Sequence, residues 1–170
     1  MDILKAAEKA MSMDENTWNR HASPLSVYSR FTILPLFTGT LAIRDELGGY
    51  TVVVIAFIIL WVWLNPRIFP APKTTNNWAS MVTFGERIYL KRNHENLIPQ
   101  HHLTACRNLM VLQIIGLPFW LYGLYSMNLE LMIFGALWLM VTKAWFVDRM
   151  VWLYQDVKDL NPEYQSWLRS

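Results

Sequence analysis

A single cysteine, Cys106, excludes an intramolecular disulfide and any cysteine-based zinc motif. Charge is scarce as well. Asp, Glu, Lys and Arg make up 16% of the 170 residues, where a soluble domain carries about 25%. No internal repeat, low-complexity tract or second domain is visible, so 1–170 reads as one domain. The first 20 residues carry Lys5, Glu8, Lys9, Asp14 and Glu15 and no apolar core, which excludes a signal peptide. No nucleic-acid partner is expected from a formal net charge of only +2. What the chain has in abundance is apolar and aromatic surface. It is 54% hydrophobic, with nine Trp and nine Met. A soluble core needs far less, so lipid is the expected solvent.

Four apolar stretches stand out: Phe31–Ile43, Thr51–Leu64, Asn108–Tyr125 and Leu129–Val147. Crossing about 30 Å of hydrocarbon takes roughly 20 helical residues, so the shorter stretches must borrow from their flanks. The expected spans are about 26–43, 47–64, 105–125 and 129–150. Short connectors near Leu47 and Met127 pair them into two helical hairpins, a four-helix membrane bundle of all-α class. Of 15 Lys and Arg residues, Arg44 alone falls on the far side of this arrangement. The positive-inside bias then places both termini and the long 65–102 connection in the cytoplasm of a multi-pass cell-membrane protein.

That connection opens with NPRIFPAP, whose prolines favour an extended crossing. Asn76 or Asn77 offers a helix N-cap. Apolar residues then recur at Trp78, Met81, Val82, Gly85, Ile88 and Tyr89, so an amphipathic helix is expected over about 77–93, in the headgroup region or against the bundle. Met1–Met13 is a second, weaker candidate.

All four histidines, His21, His94, His101 and His102, fall on the cytoplasmic side, with Glu86, Glu95, Asp148 and Asp156. Imidazoles and carboxylates at one depth are a donor set for zinc or non-haem iron. The expected metal ligands are His21, His101, His102, Glu86 and Asp148. Glu86, Asp148, Arg87 and Arg149 are the candidate catalytic residues, with Arg67 a further anion-binding cation. Pro99 places His101 and His102 in the first turn of the third span, where His102 shares a face with Cys106 and Gln113. Each residue also has a structural reading. Glu86 and Arg87 can clamp the amphipathic helix, Asp148 can pair with Arg149 or Lys143, and His94 and Glu95 can be solvated interface residues.

The segments WNRHASPLSVYSRF, WLNPRIFPAP, NWASMVTFGERIYL, IPQHH and WFVDRMVWLYQD together resemble a family of small bacterial and archaeal membrane proteins of unknown function. The resemblance runs from Trp18 to Asp156 and implies a four-span membrane fold. The residues that carry it include His21, Pro24, Asn65, Pro66, Arg67, Gly85, Glu86, Arg87, Pro99, His101, His102, Asp148 and Arg149. It brings no activity.

Three functions compete. The first is a metal-dependent membrane enzyme, an oxidoreductase with iron or a hydrolase with zinc, acting on a lipophilic substrate at the cytoplasmic interface. The second is metal-free binding of an anionic lipid or phosphate by the Arg and His residues. The third is a transporter or channel, which would need a homo-oligomer because four helices are few and polar residues within the spans are sparse.

Overall fold

The computed structural model describes residues 10–92 and 97–170. His94 and Glu95, and most of the Met1–Met13 segment, lie outside the described residues. Among those described, all regular structure is helical. In chain order the helices are α1 (Glu15–His21), α2 (Pro24–Ser29), α3 (Ile33–Ala42), α4 (Arg44–Leu47), α5 (Tyr50–Ile68), α6 (Trp78–Leu90), α7 (Gln100–Ser126), α8 (Leu129–Val157) and α9 (Pro162–Ser166). Among the described residues, three helical stretches are long and apolar enough to cross a membrane: Tyr50–Ile68, Gln100–Ser126 and Leu129–Leu160.

The first apolar stretch differs from the single span expected over 26–43. It is divided into α2, a 3-10 turn at Arg30–Thr32, and α3, which has only 10 residues. At 1.5 Å per residue, α3 is about 15 Å long, half a bilayer. The cause is Pro35. It cannot donate to the carbonyl one turn back, so it is best placed in the first turn of a helix, where that donor is unused. The α-helix therefore restarts at Ile33 and puts Pro35 at its third residue. The regular four-helix bundle gives way to three long helices and one broken rod. That rod lies antiparallel beside α5. Ser26 reaches Asn65 at one end (2.8 Å), and Thr51 reaches the Arg44 carbonyl at the other (3.3 Å).

α7 and α8 form the expected hairpin. Met127 takes a left-handed conformation (φ 55°), and the Asn128 side chain caps α8 by accepting from Leu131 N. Small residues let the two backbones approach. A Cβ on Gly135 would lie 2.4 Å from Trp120 N, and one on Gly123 2.6 Å from Met132 N. Arg44 donates to the Leu124 carbonyl (2.6 Å), placing a cation at the C-terminal end of α7, where the helix dipole favours one.

The buried core lies at the opposite end of this hairpin. The amphipathic helix forms where expected, as α6, with the Asn77 side chain accepting from Ser80 N. It packs into protein: nine of its residues are buried, from Ala79 to Tyr89. Gly85 makes this possible, because a Cβ there would sit 2.0 Å from the Met150 carbonyl oxygen of α8. Phe84, Ile88, Tyr89, Cys106, Met150, Leu153, Tyr154, Val157 and Tyr164 share one core. α9 closes it. α5 continues through Asn65-Pro66 to Ile68, so the extended crossing starts only at Phe69. The chain following α9 is clasped to this 69–77 crossing, where Thr75 N donates to the Arg169 carbonyl (2.8 Å) and Thr75 Oγ1 to the Trp167 carbonyl (2.8 Å). We call this end of the molecule the cap.

Candidate head-group site and a histidine–aspartate cluster

α1 starts on the Asp14 cap, whose carboxylate accepts from Thr17 N (2.7 Å), and ends at His21. Two α6 hydroxyls take the carbonyls that α1 leaves unpaired there. Ser80 donates to Ala22 O (2.7 Å) and Thr83 to His21 O (3.4 Å). The chain then turns at Ser23–Pro24 into α2, which brings Ser26 back beneath the His21 ring.

His21 is buried, at 2% exposure. A run of hydrogen bonds fixes its tautomer. The Ser26 hydroxyl donates to Asn65 Oδ1 (2.8 Å), so Ser26 Oγ accepts the proton of His21 Nδ1 (2.9 Å). Asn65 Nδ2 in turn donates to Ser29 Oγ (2.7 Å), whose hydroxyl donates to the Leu25 carbonyl (2.6 Å). His21 Nε2 is left with a lone pair. It faces Arg30 Nη1 at 2.5 Å and a Glu86 carboxylate oxygen at 3.9 Å. Burial, and then the charges of Arg30 and Lys143, push the imidazole well below its ordinary pKa, so it is neutral at pH 7.

Three adjoining cavities meet at these residues. The inner one, about 140 Å³, is lined by Trp18, His21, Arg30, Glu86 and Met150 among others. A small one, about 40 Å³, is bounded by His21, Arg30, Glu86 and Lys143. The third, about 530 Å³, is an apolar cleft between α3, α7 and α8 lined by Leu34, Ile114, Leu117, Trp120 and Leu139, with Arg30, Gln113 and Lys143 as its polar residues. Arg30 borders all three, from the 3-10 turn where the first rod breaks. Lys143 lies 14 residues into α8, about 21 Å from its start. Arg30 and Lys143 against Glu86 leave one excess positive charge where a polar pocket meets an apolar cleft.

A second group forms at the start of α7. The His101 and His102 rings are 4.2 Å apart between centroids. Both Nε2 atoms face one oxygen of Asp156, at 3.7 Å and 2.9 Å. His102 is fully buried, while His101 and Asp156 are exposed. Nearby Arg149 Nε and His102 Nδ1 are buried and lack hydrogen-bond partners among the described residues. Among the described residues this is the group whose possible ligand atoms all come within 4.8 Å of one another.

Four of the five expected ligands are thus divided between two places. His21 and Glu86 face each other in one, and His101 and His102 meet Asp156 in the other. Asp148 belongs to neither. Its carboxylate accepts the indole N–H groups of Trp78 (2.8 Å) and Trp152 (3.3 Å), pinning α6 to α8. Arg87 turns away from Glu86, pairs with Glu15 and stacks on Trp167 (4.4 Å). Arg67 stacks on Trp63 (4.1 Å) and donates to the carbonyls of Trp63 and Met11. Ser26, Arg30, Asn65 and Lys143 were not among the candidates, and Asp156, one of the four carboxylates on the histidines' side, was not an expected ligand. Lys143 carried a signal, a lone cation inside an apolar span. Arg30 carried a subtler one, five residues ahead of a proline that restarts the helix.

Residues 3–169 match the model of a family of unknown function, DUF6653, and the chain belongs to that family. No curated protein and no solved structure matches it.

Proposed function

We propose that this DUF6653 protein is a small membrane protein that binds an anionic amphiphile, with the anionic head between Arg30 and Lys143 and the apolar tail in the cleft between α3, α7 and α8. One observation carries the reading: the two cations that border the 530 Å³ apolar cleft also border the pocket of His21 and Glu86. A membrane-depth cation marks a functional site by default, and Arg matches the fork geometry of carboxylate and phosphate. The same two charges oppose a divalent cation at His21, so the head-group site works without metal. An incoming anion competes with His21 for Arg30 and frees the Nε2 lone pair. That nitrogen is then a neutral base facing the head group, oriented through Nδ1 by Ser26 and Asn65.

The broken rod completes the membrane topology. Its two ends pair with the two ends of α5, which supports a fourth crossing made of α2, the 3-10 turn and α3. With four crossings both termini share the cytoplasmic side that the Lys and Arg bias favours. Broken helices that line sites at membrane depth are common in transport proteins, and here the break supplies Arg30. Labelling of single cysteines at the exposed Asn16 and Ser170 from either side of sealed vesicles tests the topology. Both are expected to label from the same side, and labelling of the two from opposite sides would overturn it.

Native mass spectrometry of the full chain in detergent, with anionic and zwitterionic phospholipid in competition, tests the binding. Anionic lipid is expected to stay bound. Arg30→Gln and Lys143→Met are each expected to weaken it by about tenfold, the equivalent of one charge-assisted hydrogen bond at roughly 1.5 kcal/mol. Binding that ignores head-group charge, or that both variants retain, would overturn the reading.

A further inference from the structure

We propose that His101, His102 and Asp156 bind a first-row divalent cation at the water-facing rim of the cap, independently of the head-group site. Two imidazoles and a carboxylate are a donor set shared by catalytic zinc and non-haem iron sites. At ligand distances of about 2.1 Å, two donors of a tetrahedral site lie about 3.4 Å apart. The Asp156 oxygen is 3.7 Å from His101 Nε2 and 2.9 Å from His102 Nε2, on either side of that value. All three donors fit within 4.8 Å, so an ion is accommodated by side-chain adjustment alone.

The ligands of the site differ in exposure. His102 is fully buried and anchors the site, while His101 and Asp156 are exposed and leave the remaining coordination positions open to water. Zinc in such a three-ligand site lowers the pKa of its bound water. The donors come from the start of α7 and the end of α8, 54 residues apart in sequence. A bound ion would therefore staple the open end of the hairpin, opposite the Met127 turn. Three features moderate the affinity: the positive end of α7, the Arg149 guanidinium, and the His102 proton, which moves to the unpartnered Nδ1 when Nε2 coordinates. Binding weaker than at a closed four-ligand zinc site follows.

Co2+ titration of the full chain in detergent, followed by its visible absorption and by Zn2+ competition, tests this. About one equivalent of Co2+ is expected, displaced by Zn2+. His101→Ala and Asp156→Asn are each expected to lose affinity by at least about tenfold. Both positions are exposed, so far-ultraviolet circular dichroism is expected to be unchanged in these variants. Substoichiometric binding in the parent chain, or affinity unchanged in the His101→Ala, Asp156→Asn double variant, would overturn the site. Lipid retention, which rests on Arg30 and Lys143, is expected to be the same in both variants.

Discussion

The two ends of the α7–α8 hairpin keep opposite sides of their apolar surface in view. Towards the Met127 turn, Ile114, Leu121, Tyr125 and Leu137 are each at least half exposed, as are Val52, Phe57 and Ile59 on α5. Towards the cap, Met150, Leu153, Tyr154 and Val157 of the same α8 helix are fully buried. One helix thus has two environments. Towards the turn its apolar side chains face outwards, as suits a helix long and apolar enough to cross a membrane, and the helices are joined by close backbone approach at Gly123 and Gly135. In the cap, protein must cover them, and α6 and α9 do so. Apolar content alone does not separate these regimes; which side chains have a protein partner does.

The sharpest way to break the contrast is at Gly85. Gly85→Val puts a side chain into the Met150 carbonyl and is expected to undock α6. Limited proteolysis should then cut the 65–102 connection while α7 and α8 stay protected. Next in size is a matched pair of truncations. Phe84→Ala empties the cap core and is expected to cost about 3–5 kcal/mol. Phe57→Ala, at a 66% exposed position, is expected to stay within about 0.5 kcal/mol. Thermal unfolding in one detergent compares them directly, and equal losses would erase the distinction.

The smallest effect concerns pH. His21 is held neutral by burial and by Arg30 and Lys143, so its folded pKa lies below the unfolded value of about 6.5. Between those values the unfolded chain binds more protons, and stability falls as pH drops. The contribution is fully present above about 6.5 and lost on acidification through the folded value. His21→Gln should flatten the unfolding profile below pH 6.5 and leave it parallel to the parent above.

Much of this was legible in the sequence, for identifiable reasons. α5, α7 and α8 declare themselves because long apolar runs have few alternatives. α6 declares itself because its 3.6-residue period begins on Asn77, a good cap. The place of His101 and His102 in the first turn of α7 followed from Pro99. The rest depended on tertiary placement. His21, Ser26 and Asn65 are bonded across 39 residues of sequence between Ser26 and Asn65, and no local pattern announces such a run. Asp156 meets His102 only because α7 and α8 pack in one register. Asp148 looked like a site residue because an acid near a membrane boundary needs a partner, and two indoles met that need in place of a cation. Pro35 within 26–43 announces a kink, but not that the helix breaks fully at Arg30, because 26–43 is apolar enough for a span.

The Thr75 clasp has a consequence in time. Thr75 and Trp167 are 92 residues apart. At a synthesis rate of about 5–20 residues per second, α6 waits on the order of 5–20 s for the strand that locks it. For most of that interval α8 is incomplete as well, so Phe84 and Ile88 have no cover from their own chain. The cap is a late product of synthesis, finished after its hairpin, and the newborn chain carries a sticky amphipathic helix that must be sheltered until then.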